Sequence, residues 1–206
     1  MQGTMSETLE RRRIHPHKFA LWVAMASITM MFAGLTSAYI VRSAQGNWRY
    51  YELPVAFWIS TAVIILSSIT IILGIRAFKQ RMMPRFRMLI TLTLVLGILF
   101  GVLQSVGFYQ LYTTPQPVVM NGEIDTQNLL PVTIPGNPSE SFLFIIAGLH
   151  LLHILGGIIA LLIVFFRAYR RNVKIYNATG LEIAASYWHF VDILWIYLFI
   201  FFLVNQ

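Results

Sequence analysis

Residues 142–166 read FLFIIAGLHLLHILGGIIALLIVFF, and residues 183–204 read IAASYWHFVDILWIYLFIFFLV. Each run is long enough to cross a hydrocarbon layer about 30 Å thick as a helix. Neither is purely apolar. The first places His150 and His153 one turn apart, and the second holds His189 and Asp192 inside and Glu182 at its mouth. An ionisable group within a membrane span is costly unless it is paired or turned to a protein interior, so these residues are candidate functional positions.

Working outward, three more apolar runs cover about residues 19–41, 55–75 and 88–112. Five spans and a 57% hydrophobic composition describe a polytopic membrane protein, an all-α transmembrane helical bundle. The uninterrupted runs exclude a membrane β-barrel, whose strands alternate polar and apolar residues over short segments. Residues 1–18 read as a cytoplasmic tail before a five-helix domain over 19–206. No cleavable leader is visible in the polar N-terminus.

The net charge of +7 would suggest nucleic acid in a soluble chain. Here the basic residues lie between spans, where orientation in the membrane explains them, and no nucleic-acid partner is expected. Thirteen Lys and Arg fall in the tail, the second connection and the fourth connection, against two (Arg42 and Arg49) in the first and none in the third. That partition predicts a cytoplasmic N-terminus and a C-terminus outside. The third connection is the one long loop. Its five prolines and two glycines predict an irregular or mobile outer cap, ended by a helix start at Pro138 with Ser139 or Ser141 as cap.

Depth arithmetic brings His153 and Asp192 to nearly one level, at about 16 Å from one side and about 14 Å from the other. A His153–Asp192 hydrogen bond would satisfy both groups. In the alternative, each is satisfied separately by backbone, headgroup or another helix. Glu182 is expected to pair with Arg167 and Arg170 across the hairpin of the last two spans, with a proton-pathway role as the alternative. Trp188 either donates to His189 or fills space, and Trp195 mixes interface anchoring with packing. Gly97 and Gly101 form a small-residue face, and Gln104 reads as a cross-helix hydrogen bond.

Zero cysteines exclude disulfides, thiolate catalysis and Cys-held clusters. The span histidines with one interior acid lack the paired Glu-x-x-His pattern of di-iron bundles, so no metal or other cofactor is expected on this chain. No Walker pattern supplies an energy source.

The residues GLEIAASYWHFVDILWIYLF (180–199), GLHLLHILGG (148–157) and MFAGLTSAYIVR (31–42) carry a resemblance. They closely resemble subunit III of the haem–copper oxidases, in its short five-helix form. The resemblance implies a non-catalytic subunit of a respiratory oxidase in the bacterial plasma membrane, with haem and copper held by partner subunits I and II. It further implies bound phospholipid, support of proton uptake and stability during turnover, and contact with further respiratory subunits. His150, His153, Glu182, Trp188, His189, Asp192, Trp195, Arg167 and Arg170 would then be structural, lipid or interface residues. Many members carry a buried glutamate in Ser-Glu-x-Met-Phe-Phe-Ala, where this chain has Ile28. The alternatives are an accessory subunit of a nitric oxide reductase, a small proton-coupled transporter and a membrane metalloenzyme.

The topology makes the first prediction. A cysteine introduced at Asn128 should label from outside intact cells with a membrane-impermeant maleimide, and one at Gln80 should not. Reversed labelling would overturn the orientation.

Overall fold

The computed structural model describes residues 16–44, 53–113, 116–120, 123–130, 138–170 and 178–205. The tail up to residue 15, and Arg49, Arg171 and Lys174, lie outside them. Five long helices account for the five apolar runs: α1 Pro16–Ser43, α2 Val55–Lys79, α3 Met83–Thr113, α4 Pro138–Tyr169 and α5 Ala178–Val204. All five are long and apolar enough to cross a membrane. Most extend a turn or so past the apolar run, because polar residues at the headgroups still satisfy their backbone best as helix. At 31 and 32 residues, α3 and α4 reach about 46–48 Å, the hydrocarbon core plus its interfacial layers.

Helices α2, α3, α4 and α5 close a ring in which each packs on two neighbours, and α1 lies outside it against α4 and α5. We call the end with Lys18, Lys79, Arg87 and Arg167 the basic end. At the opposite end the third connection departs from the expected irregular cap. It holds an antiparallel pair, β1 Gln116–Met120 and β2 Glu123–Leu130, with Met120 opposite Glu123 and an irregularity between Pro117 and Val118. The two residues between Met120 and Glu123 in sequence are Asn-Gly, the dipeptide most favoured in two-residue hairpin turns. Helix α4 begins at Pro138, so Ser139 and Ser141 sit in its first turn and do not cap it. Proline suits that position because its missing N–H would have no helical partner. Glu140 is buried in the same turn.

The outer surface is apolar, with Trp22, Met30, Leu152, Ile193 and Val204 among its exposed side chains. Hydrocarbon is the matching solvent for such a surface. The interior is aromatic, and Trp188 of α5 fixes its spacing. A Cβ at Gly97 of α3 would stand 2.8 Å from the Trp188 ring, and one at Gly157 of α4 would stand 2.9 Å from it. Both helices therefore close on the indole only because those side chains are missing. Gly101 continues the α3 face, against Ile154 and Ile158 of α4.

Gly97→Ala or Gly157→Ala should overpack this notch and destabilise the bundle by about 1–3 kcal/mol. Gly34→Ala, where nothing lies within 4 Å of the added Cβ, should leave it unchanged. The midpoint of heat-induced loss of helical signal in detergent measures the difference.

Candidate functional site: a hydroxyl-lined seam inside the ring

Helix α2 supplies the hydrogen bonds that hydrocarbon cannot. Its sequence carries Ser60-Thr61 and, two turns on, Ser67-Ser68 followed by Thr70. The seven-residue repeat keeps these hydroxyls on neighbouring faces. Ser60 and Thr61 donate back to Phe57 O at 2.9 and 2.7 Å, as serine and threonine commonly do in helices. Their oxygens remain free to accept. Gln104 Nε2 of α3 donates to Ser60 Oγ at 2.8 Å, and Trp195 Nε1 of α5 donates to Thr61 Oγ1 at 3.0 Å.

One level nearer the basic end, Trp188 Nε1 donates to Ser67 Oγ at 3.1 Å. Trp188 thus bonds to α2 and does not donate to the adjacent His189. The Thr70 and Thr93 hydroxyls meet at 2.9 Å, joining α2 to α3. A ring of four apolar helices is in this way tied at three levels from a single helix.

Ser68 carries the ionisable groups. Its hydroxyl donates to Asp192 Oδ2, and its oxygen lies 2.9 Å from His189 Nδ1. With the one hydroxyl hydrogen committed to the carboxyl, Ser68 Oγ accepts from His189 Nδ1–H. Asp192 is buried, and its Oδ1 has no hydrogen-bond partner. The direct His189 Nδ1 to Asp192 Oδ2 distance is 4.0 Å, so serine bridges the two.

The expected His153–Asp192 bond is not made. His153 Nδ1 donates to Leu149 O of its own helix at 2.7 Å, and its ring lies edge-on to Phe32 of α1. The two residues share a depth, but the α5 face with Asp192 is turned to α2. His150, one turn before His153, is fully buried against Trp195, with ring centroids 5.3 Å apart and planes 22° apart. Neither of its ring nitrogens has a hydrogen-bond partner among the described residues. Ile28 packs, partly buried, against the same core.

Glu182 also departs from expectation. Its carboxylate takes Lys18 Nζ of α1 at 2.7 Å and Lys79 Nζ of α2 at 3.8 Å. Arg167 instead reaches over Gly180, where a Cβ would stand 3.6 Å from Nη1, and Arg170 is exposed. The α4–α5 loop brings Arg167 near α5 without aiming it at the carboxylate, whereas α1 and α2 both end beside Glu182. The second tie of α1 to α5 is Thr36 to Tyr197, hydroxyl to hydroxyl at 2.8 Å. Among the described residues, no three His, Asp or Glu side chains come together as a metal-binding group.

The chain has been compared with known proteins. The model of the family described as cytochrome c oxidase subunit III matches residues 127–205. A probable cytochrome c oxidase subunit 3 of Mycobacterium leprae is 31% identical over 186 residues, 86% of this chain and 82% of the relative. The cytochrome c oxidase subunit 3 of Corynebacterium diphtheriae matches with the same identity and coverage. A probable cytochrome c oxidase subunit 3 of Nocardia farcinica is 31% identical over 180 residues, 85% of this chain and 81% of the relative. The chain belongs to the cytochrome c oxidase subunit III family.

This subunit III is therefore a multi-pass membrane component of a haem–copper oxidase complex, assembled with other oxidase subunits. The family match takes in α4 and α5, with His150, His153, Glu182, Trp188, His189, Asp192 and Trp195, but not the α2 hydroxyls that hold Trp188, His189, Asp192 and Trp195. Those hydroxyls left one signal in the sequence, the seven-residue spacing of two adjacent polar pairs in an apolar run.

The bridge can be measured as a coupling. A double-mutant cycle of Ser68→Ala and Asp192→Leu should give a coupling near 0.6 kcal/mol, at most about 1.7, the range of intramembrane hydrogen bonds. A cycle of His153→Leu and Asp192→Leu should give none. Thermal unfolding of the assembled complex reads both, and coupling in the second cycle alone would restore the His153 pairing.

Proposed function

We propose that this subunit III is a non-catalytic partner of the oxidase's redox subunits, I and II, in a bacterial plasma membrane. It packs beside subunit I, holds phospholipid in a cleft between its helix pairs, and sustains proton uptake and the integrity of the oxygen-reducing centre over repeated turnovers. The observation that carries this reading is how the intramembrane polar groups are employed. Asp192 is held by Ser68, Trp188 by Ser67, Gln104 by Ser60 and Trp195 by Thr61, so this chemistry goes into helix–helix attachment.

His150, His153, His189 and Trp195 are, in the same reading, structural or interface residues. The N-terminus is cytoplasmic, as the partition of Lys and Arg supports. The basic end then lies on the side from which protons are taken up. Lys18, Lys79 and Glu182, with Arg167 and Arg170 nearby, form a charged group there whose field extends over the neighbouring surface. A subunit acting in this way influences turnover through its neighbour's structure, local lipid and proton supply.

Stripping the subunit from purified oxidase should leave the haem and copper spectra nearly intact and preserve a substantial fraction of the initial oxygen-consumption rate. Activity should then decay faster with accumulated turnovers. Glu182→Gln should reproduce part of that decay, more strongly at high pH, where protons are scarce. Oxygen uptake against turnover number at several pH values measures it. Immediate and complete loss of activity would overturn the accessory role, and identical decay curves would overturn the support of proton uptake.

A further inference from the structure

Helices α2 and α3 are joined by a turn of three residues with a fixed form. Gln80 N–H donates to Arg76 O, Arg81 N–H to Phe78 O and Met82 N–H to Ala77 O, each at 3.0 Å. The last two bonds are those of the Schellman motif. Its left-handed position is occupied by Arg81, at φ 58°, where glycine is usual. Helix α3 starts at once, with Phe86 N–H donating to Met82 O at 3.0 Å. A turn this short leaves little freedom between the end of α2 and the start of α3.

That geometry sets Arg76 and Arg85 around one pocket of about 430 Å³ at the basic end, with Gln80 beside them. The remainder of the lining includes Leu73, Met88 and Leu89. Leu73 and Met88 are exposed, so the apolar part of the pocket opens sideways toward the hydrocarbon and the polar part faces the headgroups.

Three of the neighbouring cations are already occupied. Lys18 and Lys79 hold Glu182. Arg87 Nε donates to Ala168 O at 2.9 Å, and its guanidinium lies over the Tyr169 ring. Arg76 has no side-chain hydrogen bond or ion pair among the described residues. Among the described residues the one side-chain hydrogen bond of Arg85 is Nη1 to Met82 Sδ at 3.9 Å, and a thioether is a weak acceptor. Two guanidinium groups without an oxygen partner, at the rim of a pocket with hydrocarbon walls, call for a ligand that is anionic at one end and aliphatic at the other. Planar guanidinium forks suit phosphate oxygens in particular.

We propose that this pocket binds one anionic phospholipid. Its phosphodiester lies between Arg76 and Arg85, Gln80 hydrogen-bonds a headgroup or ester oxygen, and an acyl chain runs along Leu73, Met88 and Leu89. The site belongs to the α2–α3 hairpin. It requires only that the chain spans a membrane, so its failure and the failure of the proposed function are distinguishable.

The test uses oxidase purified with this subunit, stripped of loose lipid in non-ionic detergent and titrated with phosphatidylglycerol under native mass spectrometry. The wild-type complex should retain one more phosphatidylglycerol than the Arg76→Gln/Arg85→Gln double variant, with affinity at that site lowered tenfold or more. Phosphatidylcholine and millimolar inorganic phosphate should not displace it, and Arg170→Gln, outside the pocket, should bind like wild type. Equal retention by wild type and the double variant would overturn the site. Displacement by inorganic phosphate would reduce it to a free-anion site, and an equal loss in Arg170→Gln would reduce it to general surface charge.

Should the double variant fail to assemble, a photoreactive residue at Met88 in an otherwise unchanged complex gives an independent reading. It should cross-link acyl-labelled phosphatidylglycerol at least several-fold over phosphatidylcholine. Equal labelling of the two lipids would overturn the proposal.

Discussion

The Trp188 indole sits where three helices would otherwise be held apart. It enters a notch made by the missing side chains of Gly97 and Gly157, and its N–H finds Ser67 on the fourth helix of the ring. Between helices in lipid the hydrophobic effect supplies little, since the tails outside are as apolar as the core. Close packing and a few hydrogen bonds must do the joining. Trp188 supplies both, and the hydroxyls of α2 repeat its hydrogen-bonding role at Ser60, Thr61 and Ser68. The ring thus depends on matched absences and presences: no side chain at two glycines, and an oxygen at each of four α2 positions.

Much of this architecture was legible in the sequence for one reason. A bilayer imposes length and apolarity on anything that crosses it, so five runs gave five helices. Glu182 and Asp192 were legible as conspicuous for the same reason, being charges where charges are costly. Their partners were not legible. Depth along a helix follows from counting residues, but the direction a side chain faces depends on rotation about the helix axis. His153 and Asp192 share a level and face different neighbours. Loop proximity misled in the same way at Glu182, where the partners came from α1 and α2 and not from the adjoining hairpin. The α2 hydroxyls escaped notice because serine and threonine in a helix can satisfy themselves on their own backbone, so their presence in an apolar run raises no alarm. The β1–β2 hairpin was masked by the surrounding prolines, although Asn121-Gly122 marked it.

Membership of the oxidase family changes how the buried polar groups are read. In an isolated membrane protein, a fully buried histidine with two unpartnered ring nitrogens invites a catalytic or transport role. Here His150 lies flat against Trp195 and edge-on to Phe32 and Phe100, a setting that suits its ring as an aromatic plane. Imidazole can serve as such a plane between helices, at the cost of unmet hydrogen bonds. Its neighbour His153 spends a ring nitrogen on its own helix and offers a backbone carbonyl to Tyr187 of α5. The His150 ring thus packs across the α4–α5 seam, whereas the His153 ring faces α1.

The attachment of α1 bears on how the chain is made. Lys18 and Thr36 are separated from Glu182 and Tyr197 by 164 and 161 residues. At ordinary synthesis rates, α1 waits on the order of 10–30 s in the membrane before the helix that receives it has been translated. Part of its inward stripe can settle earlier, since Phe32 packs on His150 and His153 and Tyr39 on Phe142 of α4, but Lys18 and Thr36 must wait for α5. The hydroxyl of Thr36 bridges the wait, because it bonds to Phe32 O of α1 itself at 3.0 Å before Tyr197 exists to meet it. The first described helix can therefore complete its attachment only after the last one has been made.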